Sequence, residues 1–190
     1  MKNSVLHFLA AFMLAFLLLP APAKAQYDHS VGIVVGTMEG FSYKGMIGYH
    51  CAFEADLAWR MNRTVGKATY SSGGVDVSVS DLNLWYWEFS LNPNIMYQGN
   101  VSSQPWGNLY WFAGGGLSIG FARPFADYLY WNKEMGKGGV NGLLGTEVVL
   151  KNAPVAVTFD FRPGYGICFR EGTSISVFDW ALALTARYIF

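Results

Sequence analysis

The chain has 190 residues, 13 basic and 13 acidic side chains and no net formal charge, with 17% aromatic but only 14% charged residues. That charged share is about half the ~25% usual in a soluble domain, and without a basic cluster the chain lacks the electrostatic footprint of a nucleic-acid binder. Twenty-two glycines in a chain of this length argue for many short strands in a single domain.

In chain order, Lys2 gives a positive n-region and residues 5–19 an almost unbroken apolar run, closed by Ala23-Lys24-Ala25. A membrane anchor needs about 20 apolar residues; this run is nearer 15 and is followed by Pro20 and Pro22, which predicts a signal peptide over 1–25, cleaved after Ala25. The expected mature domain is then 26–190, and it contains no further apolar run long enough for a membrane-spanning helix.

Within that domain, alternation predicts strands. Over residues 30–37, Val31, Ile33 and Val35 oppose Gly32, Val34 and Gly36. After a tight Met38-Glu39-Gly40 connection, Phe41, Tyr43 and Ile47 oppose Ser42, Lys44 and Met46, with a turn at 48–50. Phe53, Ala55, Leu57 and Trp59 oppose Glu54, Asp56, Ala58 and Arg60, and residues 61–80 read as a long loop whose flanks can extend as a hairpin. The fourth strand sets Trp85, Trp87, Phe89, Leu91 and Ile95 against Tyr86, Glu88, Ser90, Asn92 and Asn94, with a long turn expected at 98–106. Leu109, Trp111, Ala113, Leu117 and Ile119 form the outer set of the fifth, followed by a loop over 122–137. Val140, Leu144, Val148 and Leu150 oppose Asn141, Gly145 and Glu147; after a turn at 151–153, Val155, Val157, Phe159 and Phe161 oppose Ala156, Thr158, Asp160 and Arg162. Pro93 and Pro163 are expected at strand ends or bulges. A loop near 170–176 leads to the closing strand, where Phe178, Trp180, Leu182, Leu184, Ala186, Tyr188 and Phe190 oppose Asp179, Ala181, Ala183, Thr185, Arg187 and Ile189.

Eight strands with alternating short and long connections match an up-and-down barrel with short periplasmic turns and longer external loops. One face collects Lys44, Glu54, Asp56, Arg60, Glu88, Glu147, Asp160, Arg162, Asp179 and Arg187; the other is apolar and carries most tryptophans. A soluble lipocalin-like barrel would have to pack those tryptophans into an interior with room for little more than its own side chains. Inverted, with charges in the lumen and the apolar face on lipid, the parts fit an all-β transmembrane barrel, and closure satisfies the backbone. The lumen charges then read as a structural salt-bridge ladder, with a selectivity filter or proton path as the alternative.

These features resemble the small eight-stranded outer-membrane barrels of the OmpA/OmpX-like class, in detail the glycine-rich "porin family" barrels of Bacteroidota. The segments carrying the likeness are residues 40–44, 111–116, 142–147, 156–160 and 186–190. The resemblance implies an outer-membrane location in a Gram-negative bacterium, with adhesion, envelope integrity or host contact as usual roles. It implies outer-membrane lipid and lipopolysaccharide, and the outer-membrane assembly and periplasmic chaperone machinery, as partners. Tyr188 and Phe190 resemble that machinery's recognition signal, and no catalytic residue is carried over.

The expected activity is therefore non-enzymatic surface or structural work by a monomer without cofactor or metal. A lipid-modifying enzyme is the runner-up, along with a transport accessory or a soluble ligand-binding barrel. Nucleophilic catalysis needs a base within reach of the hydroxyl, and His29 and His50, the histidines after residue 25, both fall at the periplasmic rim. Candidate external contacts are Arg123, Tyr128, Tyr130, Trp131 and Lys133 in the 122–137 loop, which equally suit an aromatic girdle. Cys51 is expected at the inner end of strand three and Cys168 beyond the outer end of strand seven. They stand too far apart for the ~7 Å limit between bridged Cα atoms, leaving two free thiols. Asn62-Arg63-Thr64 and Asn100-Val101-Ser102 match a glycosylation pattern by chance.

Overall fold

The computed structural model describes residues 28–72, 75–125, 134–171 and 173–190; the expected signal peptide lies outside them. Eight antiparallel strands run β1 His29–Gly36, β2 Glu39–Met46, β3 Cys51–Ser72, β4 Val75–Ser103, β5 Gly107–Phe125, β6 Met135–Leu150, β7 Val155–Arg170 and β8 Thr173–Ile189. Each pairs with its sequence neighbour, and β1 closes the ring on β8 through Val31↔Tyr188 to Gly36↔Ala183. Closure leaves no free sheet edge around the waist.

Period-two patterning sets which side chains face the lumen. Along β8, Asp179, Ala181, Ala183, Thr185 and Arg187 are buried, whereas Phe178, Trp180, Leu182 and Leu184 are exposed. The same polarity holds on β4, where Trp85, Trp87, Phe89, Leu91 and Ile95 are outside and Tyr86, Glu88, Ser90 and Asn94 inside. The described outward positions of these strands are thus mostly apolar.

Several connections are shorter than the sequence suggests. Most of the loop expected at 61–80 is strand: β3 runs to Ser72 and β4 starts at Val75, so the long segment is a hairpin. The Val75, Val77 and Val79 alternation continues the ladder, with Tyr70 opposite Val77. The turn expected at 98–106 shrinks to 104–106 because β4 pairs with β5 as far as Ser103↔Asn108 across an irregularity near Asn100 and Ser102. In the 122–137 loop, residues 122–125 belong to β5 and residues 135–137 to β6; residues 170 and 173–176 likewise belong to β7 and β8. Pro93 and Pro163 lie inside strands rather than at their ends. The β4–β5 ladder skips from Leu91↔Ile119 to Asn94↔Gly116, and the β6–β7 ladder from Asn141↔Gly164 to Leu144↔Phe161. Each proline sits at such an interruption, where its missing donor is tolerated.

The hairpins differ greatly in height. β1 and β2 have 8 residues each, against 22 in β3 and 17 in β8. Beyond the β1–β2 tip, β3 and β8 pair directly through Gly66↔Val177 to Tyr70↔Thr173. An eight-stranded ring at the waist becomes a ring in which β3 is bonded to β8 at the hairpin rim.

Candidate functional site

The lumen is the chemically loaded part of the molecule, and it is built in layers. Nearest the turn rim, Val149 and Ala156 pack with Tyr110 and Ile189, and Ala52, Met96, Phe112 and Leu143 form a second apolar group. A fully buried ion cluster lies above them. Lys44, opposite Glu54 in register, reaches across the lumen to Glu147 at 2.8 Å and Gln98 at 2.7 Å. Arg187 donates to Glu54, to Thr158 at 2.8 Å and to Ser42 at 3.0 Å. Arg162 holds three carboxylates, donating to Asp56 and Asp160 and to Glu54 at 3.0 Å. Three cations thus face four carboxylates, all of them buried.

Above a neutral layer that includes Ser90, Asn94 and Ser118 lies a second ion cluster. Arg60 donates to Glu88 at 2.9 Å and to Asp179, and Lys137 donates to the same two acids at 2.6 and 2.9 Å. Tyr86 adds its hydroxyl to Asp179 at 3.0 Å. Toward the hairpin rim the inward positions turn apolar again, and Tyr86, Ala122, Met135, Cys168, Ile175 and Val177 pack together over the ions. Apolar side chains therefore bound the charges at both ends. An eight-stranded interior leaves no continuous aqueous path once filled in this way.

Glycines make room for the long charged side chains. Gly32 lies opposite Arg187, Gly145 opposite Asp160 and Gly164 opposite Asp179. A Cβ at Gly32 would meet Arg187 Cγ at 2.7 Å, and one at Gly164 would meet Asp179 Oδ1 at 2.5 Å. Those approaches are too close for any real Cβ, so each glycine belongs to its charged neighbour's packing.

All ten charged residues singled out in the sequence face this interior, and together they form two clusters rather than one ladder. Sequence reasoning missed Lys137, which it left in a loop, and the neutral partners Gln98, Ser42 and Thr158. The signal was present for Lys137, which shares odd-numbered parity with Asn141 and Glu147 on β6. Cys168 also departs from expectation: it lies within β7, buried, and not beyond the strand's end. Both cysteines are free, Cys51 being exposed.

The rims carry the remaining candidates. His29 Nδ1 lies 2.9 Å from the Tyr43 hydroxyl, and its ring stacks on Phe190 at 6.0 Å. The Phe190 N–H donates to the His29 carbonyl, so the last residue is tied to the first strand. Tyr188 is half-buried at the β1–β8 seam. His50 stacks on Tyr97, which packs against Trp111. Arg123 is an exposed β5 residue opposite Trp87. Tyr128, Tyr130, Trp131 and Lys133 lie outside the described residues.

No protein-family model matches the chain, and no curated protein sequence does. Among solved structures, the chain is similar to Ail, the attachment invasion locus protein of Yersinia pestis, in complex with the heparin analogue sucrose octasulfate. Identity is 12%, covering 85% of this chain and 97% of Ail, with a TM-score of 0.32. A second Ail structure gives 12% identity over 87% and 99% of the two chains, with a TM-score of 0.29. The assignment of a closed eight-stranded barrel rests on the strand pairings themselves.

Proposed function

We propose that this chain is an outer-membrane barrel of a Gram-negative bacterium, OmpA/OmpX-like in type. Its lumen is a structural ionic plug, and its non-enzymatic work is done at the surface that projects beyond the short first hairpin. The observation that carries the reading is the outward apolar band and its bounding aromatics. Exposed aromatic residues lie at Trp87 and Tyr97 on β4, Trp111 and Phe121 on β5, and Trp180 on β8, with the half-buried Tyr188 below it. Each pair spans roughly the 9–11 residues that a tilted strand needs to cross hydrocarbon. Rings at both boundaries are the aromatic girdles of such barrels.

The plug reading is supported by apolar packing at both ends of the ion clusters. It makes outer-membrane lipid and lipopolysaccharide the immediate partners, with assembly and periplasmic chaperone machinery acting on the C-terminal strand and Phe190. Surface ligands would meet the extended β3–β4 hairpin and the β5–β6 connection. The non-enzymatic reading is supported by His29 and His50, whose bonds go to Tyr43 and the Gln98 carbonyl at the turn rim. Electrophoresis of membrane fractions in detergent, unboiled against boiled, tests the whole. The expected result is a heat-dependent mobility shift in the outer-membrane fraction, and purified protein in planar bilayers should give no conductance steps. A soluble protein with no shift, or an altered lipid A mass in cells carrying it, would contradict the reading.

A further inference from the structure

Between the two ion clusters the inward positions become small. Ala58 on β3, Gly139 on β6, Gly164 on β7 and Ala181 on β8 share strand parity with the charged residues above and below them. These four residues border a chamber of about 30 Å³. Arg162 of the lower cluster also borders it, as do Arg60, Lys137 and Asp179 of the upper one. A buried water needs about 10–15 Å³ of such space, so there is room for about two.

Two further side chains on this chamber have a polar atom to spare. Ser118 on β5 is 7% exposed and stands opposite Gly139 in register, and its Oγ has no hydrogen-bond partner among the described residues. Asn141 donates from Nδ2 to Asn94 Oδ1 at 2.6 Å. Asn94 is fixed in that orientation because its own Nδ2 donates to the Asn92 carbonyl at 3.0 Å. Asn141 therefore presents nitrogen to Asn94, and its Oδ1 is a buried acceptor without a partner among the described residues. Buried polar groups are normally paired, and a hydroxyl near a lone acceptor restricts what can pair them.

A cation would join Arg60, Lys137 and Arg162 against the single lining carboxylate of Asp179. An anion would meet the Asn141 oxygen, and those three cations already hold carboxylates. A hydrocarbon guest would leave both polar atoms unmet. Water donates to a carbonyl oxygen and both donates to and accepts from a hydroxyl. We propose that the chamber is a buried water site, where about two ordered waters link Ser118 Oγ to Asn141 Oδ1. They stand between Arg162 and the like-charged Arg60 and Lys137, and so complete the plug where its side chains are too short to meet. The site depends on the closed lumen and not on which membrane holds the barrel.

Water-oxygen magnetic relaxation dispersion counts long-lived internal waters, and the full mature chain refolded in detergent is the sample. Ser118→Val removes the hydroxyl and fills the space beside Gly139. It should lose about two such waters relative to the unsubstituted protein while keeping the heat-dependent mobility shift. Equal dispersion from the two folded proteins overturns the proposal. The unsubstituted protein alone gives a second reading, independent of whether the variant folds. With methyl-labelled alanine, nuclear Overhauser effects from water are expected at the Ala58 and Ala181 methyls, which border the chamber. No effect at either methyl overturns the site, as do xenon-induced shifts of those methyls, because a cavity that takes up xenon is a dry one.

Discussion

The two ion clusters of the lumen use the same chemistry under different constraints. In the lower one, near the turn rim, the side chains of Lys44, Arg187, Glu147 and Asp56 have no exposure, and Arg162 alone serves three acids. In the upper one, Arg60 keeps 11% side-chain exposure, and each acid is held by two cations. A buried charge that loses its partner is costly. The lower cluster concentrates that risk on Arg162, whose loss would leave Asp56 and Asp160 without their ion pair, whereas the upper cluster distributes it. In the upper cluster both acids have a second cation, whereas in the lower one Glu54 and Glu147 do and Asp56 and Asp160 are paired with Arg162 alone among the described ion pairs.

Substitutions can break or sharpen this contrast. The largest loss is expected for Arg162→Met, which strips cation partners from Asp56 and Asp160 at once. It should lower unfolding free energy by about 3–5 kcal/mol, read from urea denaturation of the detergent-folded barrel. Arg187→Met should cost less, about 2–3 kcal/mol, because Glu54 keeps Arg162. Arg60→Met should cost about 1–2 kcal/mol, since Lys137 still reaches Glu88 and Asp179. Combining it with Lys137→Met should exceed the sum of the single losses by about 1 kcal/mol or more; strict additivity would show that the two cations do not back each other up. The smallest effect is expected for Trp59→Phe, which removes one exposed hydrogen bond to Glu39 and should stay within about 0.5 kcal/mol.

Much of this was legible in the chain. Alternation in Phe178 to Phe190 places Asp179 and Arg187 on one face and the aromatics on the other, because strand periodicity is a local property. Strand length was less legible. Residues 75–79 alternate as cleanly as any, and a hairpin was legible in the flanks of the 61–80 segment, but how far its strands run was not, and Lys137 was lost in the same way at the start of β6. Partner choice was not legible at all. Lys44 is opposite Glu54 in register yet bonds Glu147 across the lumen, because its long side chain spans an interior whose width follows from closure, not from sequence spacing. The direct β3–β8 contact likewise depends on the unequal heights of non-adjacent strands. Alternation alone carries no signal for it.

The central claim is that the charged face is inside and the apolar face meets lipid. Single cysteines at Leu182, Ala183 and Leu184, in a background with Cys51→Ser and Cys168→Ser, test it on three consecutive residues. The folded protein in lipid vesicles should react with a membrane-soluble maleimide at 182 and 184 and stay protected at 183. Labelling at 183 with protection at 182 and 184 would reverse the two faces and make the molecule a water-soluble barrel with an apolar interior.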